Sequence, residues 1–212
     1  MKRLILILTP VIFYACSMQN ATNKSTDYKC IGYKNEILTD SLLTIIPLIQ
    51  TSSFKIVPES DDNIDEKLIK LNEKQIKFLY STDELEKYYE FFGFSSYFYG
   101  KMTIRKGLLP ILILNTDNST AIYLDCFLIN KNGEVKGMFN ASYAEISDYS
   151  IHGNGFFLND STYNIIEKSY QPLDDFPNTY IKDSTIIKIR IEEARIIKDR
   201  IKVSSDTIKL NE

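Results

Sequence analysis

The single histidine of this chain limits the catalytic chemistry that its side chains could perform. His152 lies in the segment Ile151-His152-Gly153-Asn154-Gly155, so any Ser/His/Asp or Cys/His mechanism and any multi-histidine metal site would have to use it. The Gly-Asn-Gly sequence beside it is typical of a β-bulge or a tight bend between hairpins. We therefore interpret His152 as a turn residue.

Acidic side chains are more numerous, but their spacing does not assemble a catalytic or metal-binding set. Glu192 and Glu193 are adjacent in a predicted strand, where neighbouring side chains point to opposite faces and cannot share a proton. The segment from Asp61 resembles the start of a calcium-binding loop, but Glu66 and Asn72 stand where that loop requires Gly and Glu. From the sequence we expect no catalytic residue, no metal site and no cofactor.

Aromatic side chains are concentrated between residues 88 and 99, where eight of twelve residues are Tyr or Phe. These are Tyr88, Tyr89, Phe91, Phe92, Phe94, Tyr97, Phe98 and Tyr99. One hypothesis is a binding patch for a protein or glycan partner, made by Tyr88, Tyr89, Phe91, Phe94, Tyr97 and Tyr99, since such rings give large contact areas at low entropic cost. The other is core packing over one face of a sheet. The absence of Trp from the chain weakens the glycan version.

The first residues have the layout of an export signal. Lys2 and Arg3 precede an apolar run over residues 4–15. That run is shorter than the roughly 20 apolar residues that a membrane-spanning helix needs. We therefore predict a signal peptide over residues 1–15.

The end of this run carries a cysteine. Ala15-Cys16-Ser17 resembles the lipobox of bacterial lipoproteins, in which a small residue precedes a cysteine that becomes the acylated N-terminus, although Phe13 and Tyr14 depart from the usual leucine and small residue. The resemblance implies cleavage before Cys16 and attachment of fatty-acyl chains such as palmitate. The alternative is ordinary secretory cleavage after Ser17, which would release a soluble exported protein.

The remaining chain completes a recognisable layout. Residues 16–29 comprise the lipidated cysteine and a polar tether rich in Ser, Thr, Asn and Lys, and residues 30–212 have the length of a single globular domain. This order of export signal, tether, short helices and long C-terminal β-meander resembles uncharacterised envelope lipoproteins of Gram-negative bacteria. The resemblance implies a lipid anchor in the cell envelope, in the outer membrane, and no particular activity.

Net charge argues against nucleic acid as a partner. Lys2 and Arg3 account for two of the 25 basic residues, so the chain from Cys16 onward has 23 Lys and Arg against 28 Asp and Glu, a net charge of −5. Proteins that bind phosphate backbones need clustered positive charge, and no run of Lys and Arg supplies it.

Two cysteines remain once Cys16 is assigned to the lipid. Cys30 and Cys126 are a candidate disulfide in an oxidising compartment. Closing such a long loop would stabilise the domain by about 4 to 5 kcal/mol in the chain-entropy model. The alternative is a buried thiol at Cys126.

The fold class that we predict is α+β and mostly β, with short N-terminal helices packed on a C-terminal antiparallel β-meander. Residues 30–96 form the mixed or helical part and residues 97–212 the sheet. Asn72 and Gln75 have the spacing of a capping box for one short helix, and a second helix is predicted over residues 82–92, with its own capping box at its start.

Turn signals and alternation define the sheet. Asn132-Gly133 predicts a two-residue type I′ turn with Lys131 opposite Glu134, and further turns are predicted at Asp117-Asn118, Asn159-Asp160 and Lys198-Asp199. Alternating apolar and charged residues over 187–192 predict a strand with one buried and one solvated face. Pro110 limits its strand to an edge, or to a start just after the proline.

Three functional hypotheses follow. The first is a non-enzymatic envelope lipoprotein that binds a partner. The second is a hydrolase or isomerase built from scattered carboxylates and tyrosines, which a single deep pocket with converging carboxylates would favour. The third is a structural or assembly subunit, which a flat, polar sheet surface without a pocket would favour.

Overall fold

The computed structural model describes residues 37–55, 68–80, 95–117, 120–146, 149–173, 179–192 and 195–209. Within these ranges the chain is mostly β, with a ten-stranded antiparallel sheet and two short helices. The predicted signal peptide, Cys16, the tether, Cys30 and the helix over residues 82–92 lie outside the described residues.

The elements occupy the chain in the following order. The helices are α1 (Asp40–Ile45) and α2 (Glu73–Leu79). The strands are β1 (Ser53–Phe54), β2 (Ile69–Lys70), β3 (Ser95–Lys101), β4 (Leu109–Thr116), β5 (Ala121–Ile129), β6 (Val135–Glu145), β7 (Ser150–Asn159), β8 (Thr162–Pro172), β9 (Thr179–Ile191) and β10 (Ile196–Lys209). The strands thus lie mainly after residue 95, close to the predicted boundary at 97.

Both helices start at a side chain that caps the helix. The predicted capping box of α2 is confirmed, because Asn72 Oδ1 accepts from the Gln75 amide at 3.0 Å and Gln75 Oε1 accepts from the Asn72 amide at 2.9 Å. Thr39 Oγ1 accepts from the Leu42 amide at the start of α1. Helices of six and seven residues are not stable alone in water. They depend on packing against the sheet.

The sheet divides into two halves between β6 and β7. Its strand order is β10-β9-β8-β7-β6-β5-β4-β3-β2. β6 and β7 pair only through Tyr143–Glu145 and Ile151–Gly153, whereas β8 and β9 pair over eleven residues. Beyond Gly153, β1 replaces β6 as the neighbour of β7.

The inner faces of the two halves pack against each other. One buried cluster combines Leu112, Cys126 and Phe139 of the first half with Tyr163 and Ile189 of the second. The halves also meet at two peripheral contacts, since Ile196 lies against Gly137 and the guanidinium of Arg105 lies 4.1 Å from the ring centroid of Phe157. The sheet is therefore curled around a shared core.

The outer face of the first half carries the helices. A second buried cluster contains Leu43 of α1 and Leu79 of α2 together with Ile111 of β4 and Phe127 of β5. Because β4 is covered on both faces, all eight of its residues are buried.

The outer face of the second half is partly exposed to solvent. Ile166, Ile186 and Ile201 are directly paired across β8, β9 and β10, and Ile166 and Ile201 are exposed. The predicted alternation over residues 187–192 is confirmed, since Ile189 and Ile191 are buried while Lys188 and the other charged positions are exposed.

The β5–β6 hairpin has a different turn from the predicted one. Only Gly133 has a positive φ in this turn, whereas a type I′ turn requires positive φ at both central residues. The Asn130 amide donates to the Glu134 carbonyl and Gly133 donates to Asn130, so the loop is longer than two residues. Glu134 pairs with Lys136 at 2.6 Å rather than facing Lys131.

Of the remaining sheet features predicted from the sequence, one turn and the position of Pro110 are wrong, and one turn is confirmed. Lys198-Asp199 lies inside β10, and the β9–β10 connection is at residues 192–195. Pro110 lies in β4, which is an interior strand. Its carbonyl accepts from Met102, just after β3 ends, so its missing N–H faces the end of that ladder. The predicted Asn159-Asp160 turn between β7 and β8 is confirmed.

Candidate functional site: a cleft between the two half-sheets

A cleft of about 370 Å³ opens between the inner faces of the two half-sheets. The first half contributes Tyr123, Asn140, Tyr143 and Glu145 to its lining. The second half contributes Ile165, Glu167, Ile187, Ile189, Lys198 and Arg200. The site therefore depends on the curl of the sheet, because neither half alone would enclose it.

A glycine explains how Tyr143 reaches across the sheet. Tyr143, Gly153 and Glu167 are directly paired on β6, β7 and β8. A Cβ atom at Gly153 would lie 2.4 Å from Cε1 of Tyr143, so the tyrosine ring lies over the glycine. Its hydroxyl donates to Glu167 of β8, two strands away from its own. A side chain at position 153 would block this path.

Glu167 is the most buried charged group of the cleft. It is 4% exposed, and a buried carboxylate is costly unless donors and a counter-charge satisfy it. Tyr143 donates to one carboxylate oxygen and the Arg200 guanidinium forms an ion pair with the other. Burial, followed by the hydrogen bond to Glu167, raises the pKa of Tyr143. Tyr143 therefore remains a protonated donor at neutral pH.

A second tyrosine–carboxylate pair lies beside the first. Tyr123 and Tyr143 are paired across β5 and β6, and their rings stack with centroids 6.4 Å apart and planes at 27°. The Tyr123 hydroxyl donates to Glu145. Two aromatic rings and two carboxylates thus line the cleft.

The opposite wall combines apolar and basic side chains. Ile165, Ile187 and Ile189 present branched aliphatic surface from β8 and β9. Lys198 and Arg200 lie two residues apart on β10 and both line the cleft. Arg200 keeps 63% of its side chain exposed while it contacts Glu167, so part of its guanidinium remains accessible.

A buried polar network lies next to the cleft in the first half-sheet. Asp125 accepts from Asn140 at 2.8 Å, and from Tyr80 and Asn115 at 2.9 Å each. Ser96 extends the network by donating to Asn115 at 2.6 Å. Asp125 is 2% exposed, so these donors supply the hydrogen bonds that its burial requires. Asn140 belongs both to this network and to the cleft lining.

His152 is not part of the cleft. It pairs with Ala144 and Lys168, so its side chain lies on the face opposite to that of Tyr143 and Glu167. Its Nε2 lies 2.9 Å from Ser150 Oγ. The interpretation of the Gly-Asn-Gly sequence as a bulge or bend was wrong. Residues 150–159 form one continuous strand, in which Gly153 and Gly155 admit the side chains of neighbouring strands.

The aromatic patch is described only in part. Tyr88, Tyr89, Phe91 and Phe94 lie outside the described residues. In β3, Phe98 is buried in the cluster beneath the helices, while Tyr97 and Tyr99 are half-buried against the inner core. The packing hypothesis therefore accounts for Phe98, and the binding hypothesis for the rest of the segment stays a prediction.

Cys126 lies in the inner core and is fully buried. In the reduced form, burial raises the pKa of its thiol, which makes it a poor nucleophile. Because Cys30 is outside the described residues, the disulfide between Cys30 and Cys126 stays a prediction.

Sequence analysis missed the residues that line the cleft. Their signal was weak: Glu167 occupies an inward position in the alternating strand Tyr163-x-Ile165-x-Glu167, where an apolar residue is expected. A charged residue at an inward position indicates either a buried ion-pair or hydrogen-bond partner or a functional site. The partners, Tyr143 and Arg200, are 24 and 33 positions away in sequence, and only the strand register joins them.

Neither metal ligation nor similarity to known proteins adds to this description. Among the described residues no group of three or more His, Cys, Asp or Glu side chains is placed to hold a metal ion. No helix in those ranges combines the length and apolar character needed to cross a membrane. No protein-family model, curated protein or solved structure matches the chain.

Proposed function

We propose that this protein is a lipid-anchored binding protein of the bacterial cell envelope and that the cleft between the half-sheets holds its ligand. The cleft is the observation that carries the binding part of the proposal. It combines an apolar surface, two aromatic rings and a few oriented polar groups, which is the usual composition of a small-molecule site.

The cleft is also organised before any ligand enters. Glu167 is fixed by Tyr143 and Arg200, and Glu145 is fixed by Tyr123. Groups held by internal hydrogen bonds lose little conformational freedom on binding, so less of the interaction energy is spent on ordering them. This arrangement supports recognition of a specific ligand over a purely structural role.

The envelope part of the proposal rests on the sequence. A signal peptide over residues 1–15, acylation of Cys16 and a tether to residue 29 would place the domain at the outer membrane, exposed to small molecules or partners of the envelope. We also propose that residues 30–212 form a single α+β domain, with short N-terminal helices packed on the β-meander.

One observation favours the enzymatic alternative. Glu145 and Glu167 line the same cleft, and paired carboxylates can serve as general acid and base in hydrolysis or isomerisation. Both already accept hydrogen bonds from tyrosines, and Glu167 is also neutralised by Arg200. We therefore rank binding first. Retention of ligand binding with loss of turnover in Glu145→Gln would favour the enzyme.

Binding in the cleft can be tested with the fluorescent amphiphile 1-anilinonaphthalene-8-sulfonate and two neighbouring variants. Ile187 lines the cleft, whereas Ile186 is on the opposite face of the same strand. We expect Ile187→Glu to weaken binding of the dye by about tenfold and Ile186→Glu to change it by less than about twofold, because only the first places a charge in the apolar part of the cleft, where it also repels the sulfonate of the dye.

Thermal melts of both variants serve as the folding control. Equal effects of the two substitutions on dye binding, at equal stability, would show that the dye does not occupy the cleft and would contradict the proposal. Mass spectrometry of the mature N-terminus tests the anchor separately. A lipidated Cys16 is expected, and an unmodified terminus at Met18 would contradict the lipoprotein assignment.

A further inference from the structure

The charges that line the cleft are only partly neutralised by each other. Arg200 forms an ion pair with Glu167. Glu145 accepts from the neutral Tyr123 hydroxyl, and among the described residues no cation lies within ion-pair distance of it. The ammonium group of Lys198 makes neither a hydrogen bond nor an ion pair with the described part of the chain. The cleft therefore presents one uncompensated anion and one uncompensated cation.

These two charges are on different walls. Glu145 ends β6 in the first half-sheet, whereas Lys198 is near the start of β10 in the second. The isoleucines of β8 and β9 lie between them in strand order. A molecule that contacts both charges must therefore carry an apolar part between or beside its polar ends.

We infer that the cleft binds a zwitterion with an apolar body, namely an apolar amino acid or a short apolar peptide with free amino and carboxyl groups. The inference rests on the proposed function, because it names the ligand class of the same cleft. The ammonium group lies toward Glu145, and the carboxylate lies toward Lys198 and the accessible N–H groups of Arg200. The side chain contacts Ile187 and the other aliphatic groups.

Other amphiphiles satisfy only one of the two charges. A fatty acid would pair with Lys198 and leave Glu145 without a cation in a site from which the ligand excludes water. An apolar amine would do the reverse. Leaving a desolvated charge unpaired is costly, so the paired arrangement selects a ligand with both signs. The volume of about 370 Å³ is at the small end of ligand sites, which fits one to a few residues.

The test is displacement of 1-anilinonaphthalene-8-sulfonate from the full-length protein by leucine and its derivatives. N-acetyl-leucine lacks the ammonium group and leucinamide lacks the carboxylate. Dileucine and trileucine separate a free amino acid from a peptide as the preferred ligand. We expect at least one of the three zwitterions to displace the dye, and removal of either charge from it to weaken displacement by about tenfold.

Two variants assign the charges to their partners. In Glu145→Gln the advantage of the free amine over its acetylated form should fall to less than about threefold, and in Lys198→Met the advantage of the carboxylate over the amide should fall likewise. Lys188→Met is the matched control, since Lys188 is exposed on the opposite face of β9. It should change neither ratio.

The outcomes separate this inference from the proposed function. Equal displacement by the most effective zwitterion and by its N-acetylated form, or no displacement by any of the three zwitterions, overturns the inference. If the dye is still lost in Ile187→Glu and kept in Ile186→Glu, cleft binding stands and only the ligand class is wrong. If the two isoleucine variants affect dye binding equally, the dye does not occupy the cleft, and both the proposed function and the ligand class are contradicted.

Discussion

Two glycines of β7 provide a sharp test of how the sheet builds the cleft. Gly153 and Gly155 are two residues apart on the inner face, and a tyrosine side chain crosses each of them. At Gly153 the crossing atoms belong to Tyr143, whereas at Gly155 they are the Tyr163 hydroxyl and the carbonyl oxygen of Ala141. A methyl group at either position must therefore displace something different, a side chain in one case and backbone in the other.

Gly153→Ala should cost about 1.5 to 6 kcal/mol of unfolding free energy. The new Cβ would lie 2.4 Å from the Tyr143 ring, which must move by about 1 Å to reach ordinary contact. The fold then loses the hydrogen bond to the buried Glu167 carboxylate, worth about 1.5 to 3 kcal/mol, and gains overpacking of about 1 to 3 kcal/mol. The lower entropy of unfolded alanine offsets up to about 1 kcal/mol. Dye binding in the cleft should weaken as well.

Gly155→Ala should cost at least as much, about 2 to 6 kcal/mol. Its Cβ would lie 2.1 Å from both the Ala141 carbonyl and the Tyr163 hydroxyl, which are themselves hydrogen-bonded at 2.6 Å. Separating two strands leaves a buried carbonyl without its donor, which adds about 1 to 3 kcal/mol to the overpacking. Asn154→Ala, on the other face, is the matched control and should cost less than about 1 kcal/mol.

Urea unfolding followed by far-UV circular dichroism measures all three variants. A double-mutant cycle of Gly153→Ala with Tyr143→Leu should show a coupling of at least about 1 kcal/mol, because the leucine side chain lacks the ring atoms that meet the new methyl group. If Gly153→Ala is as mild as Asn154→Ala, or if the cycle is additive, then Tyr143 does not cross Gly153. The account of the cleft would then be wrong.

Three further predictions follow. Burial raises the pKa values of Tyr143 and Tyr163 above the unfolded value of about 10, so the unfolding free energy is at its full value below about pH 10 and falls above it by about 1.4 kcal/mol per pH unit for each tyrosine. In urea titrations above about pH 10, Tyr163→Phe should make this slope shallower by about 1.4 kcal/mol per pH unit. An unchanged slope would contradict the prediction. Asp125→Asn places an amide against donors and should lower the unfolding free energy by about 2 to 4 kcal/mol in the same assay, a change below about 1 kcal/mol being inconsistent with the network. Cys126 should resist labelling by iodoacetamide in the native protein, and labelling of the native protein would contradict its burial. If Cys126 is a thiol, it should react in urea without a reductant. If it is paired with Cys30, labelling in urea should require reduction of the disulfide first.

Local features of the fold were predictable where a few neighbouring residues determine them. The capping box at Asn72 and Gln75 is one such case, since both hydrogen bonds join residues three apart. The turn at Asn159-Asp160 is another. The turn predicted at Lys198-Asp199 failed because β10 is an exposed edge strand, whose polar residues have the same composition as a turn.

The cleft could not be predicted in the same way, because it depends on register across the whole sheet. Pairing of β6 with β7 through only three residue pairs bends the sheet, and this short ladder brings the inner faces together. The sequence around Gly153 contains no information about which ring will cross it. A Gly-x-Gly pattern in a strand can indicate either a bend or the close approach of groups from neighbouring strands. In β7 it marks close approach and not a bend.

The charge at Glu167 is the strongest physical reason to regard the cleft as more than a packing defect. Tyr163, Ile165 and Glu167 occupy successive inward positions of β8, and an apolar residue at the third position would continue the core. Replacing buried ion pairs by apolar side chains is often neutral or stabilising. The fold therefore gains little from Glu167 and must supply Tyr143, Arg200 and the bare surface of Gly153 to accommodate it. Such local conflicts between sequence pattern and environment are expected at functional sites, where recognition of a ligand compensates for lost stability.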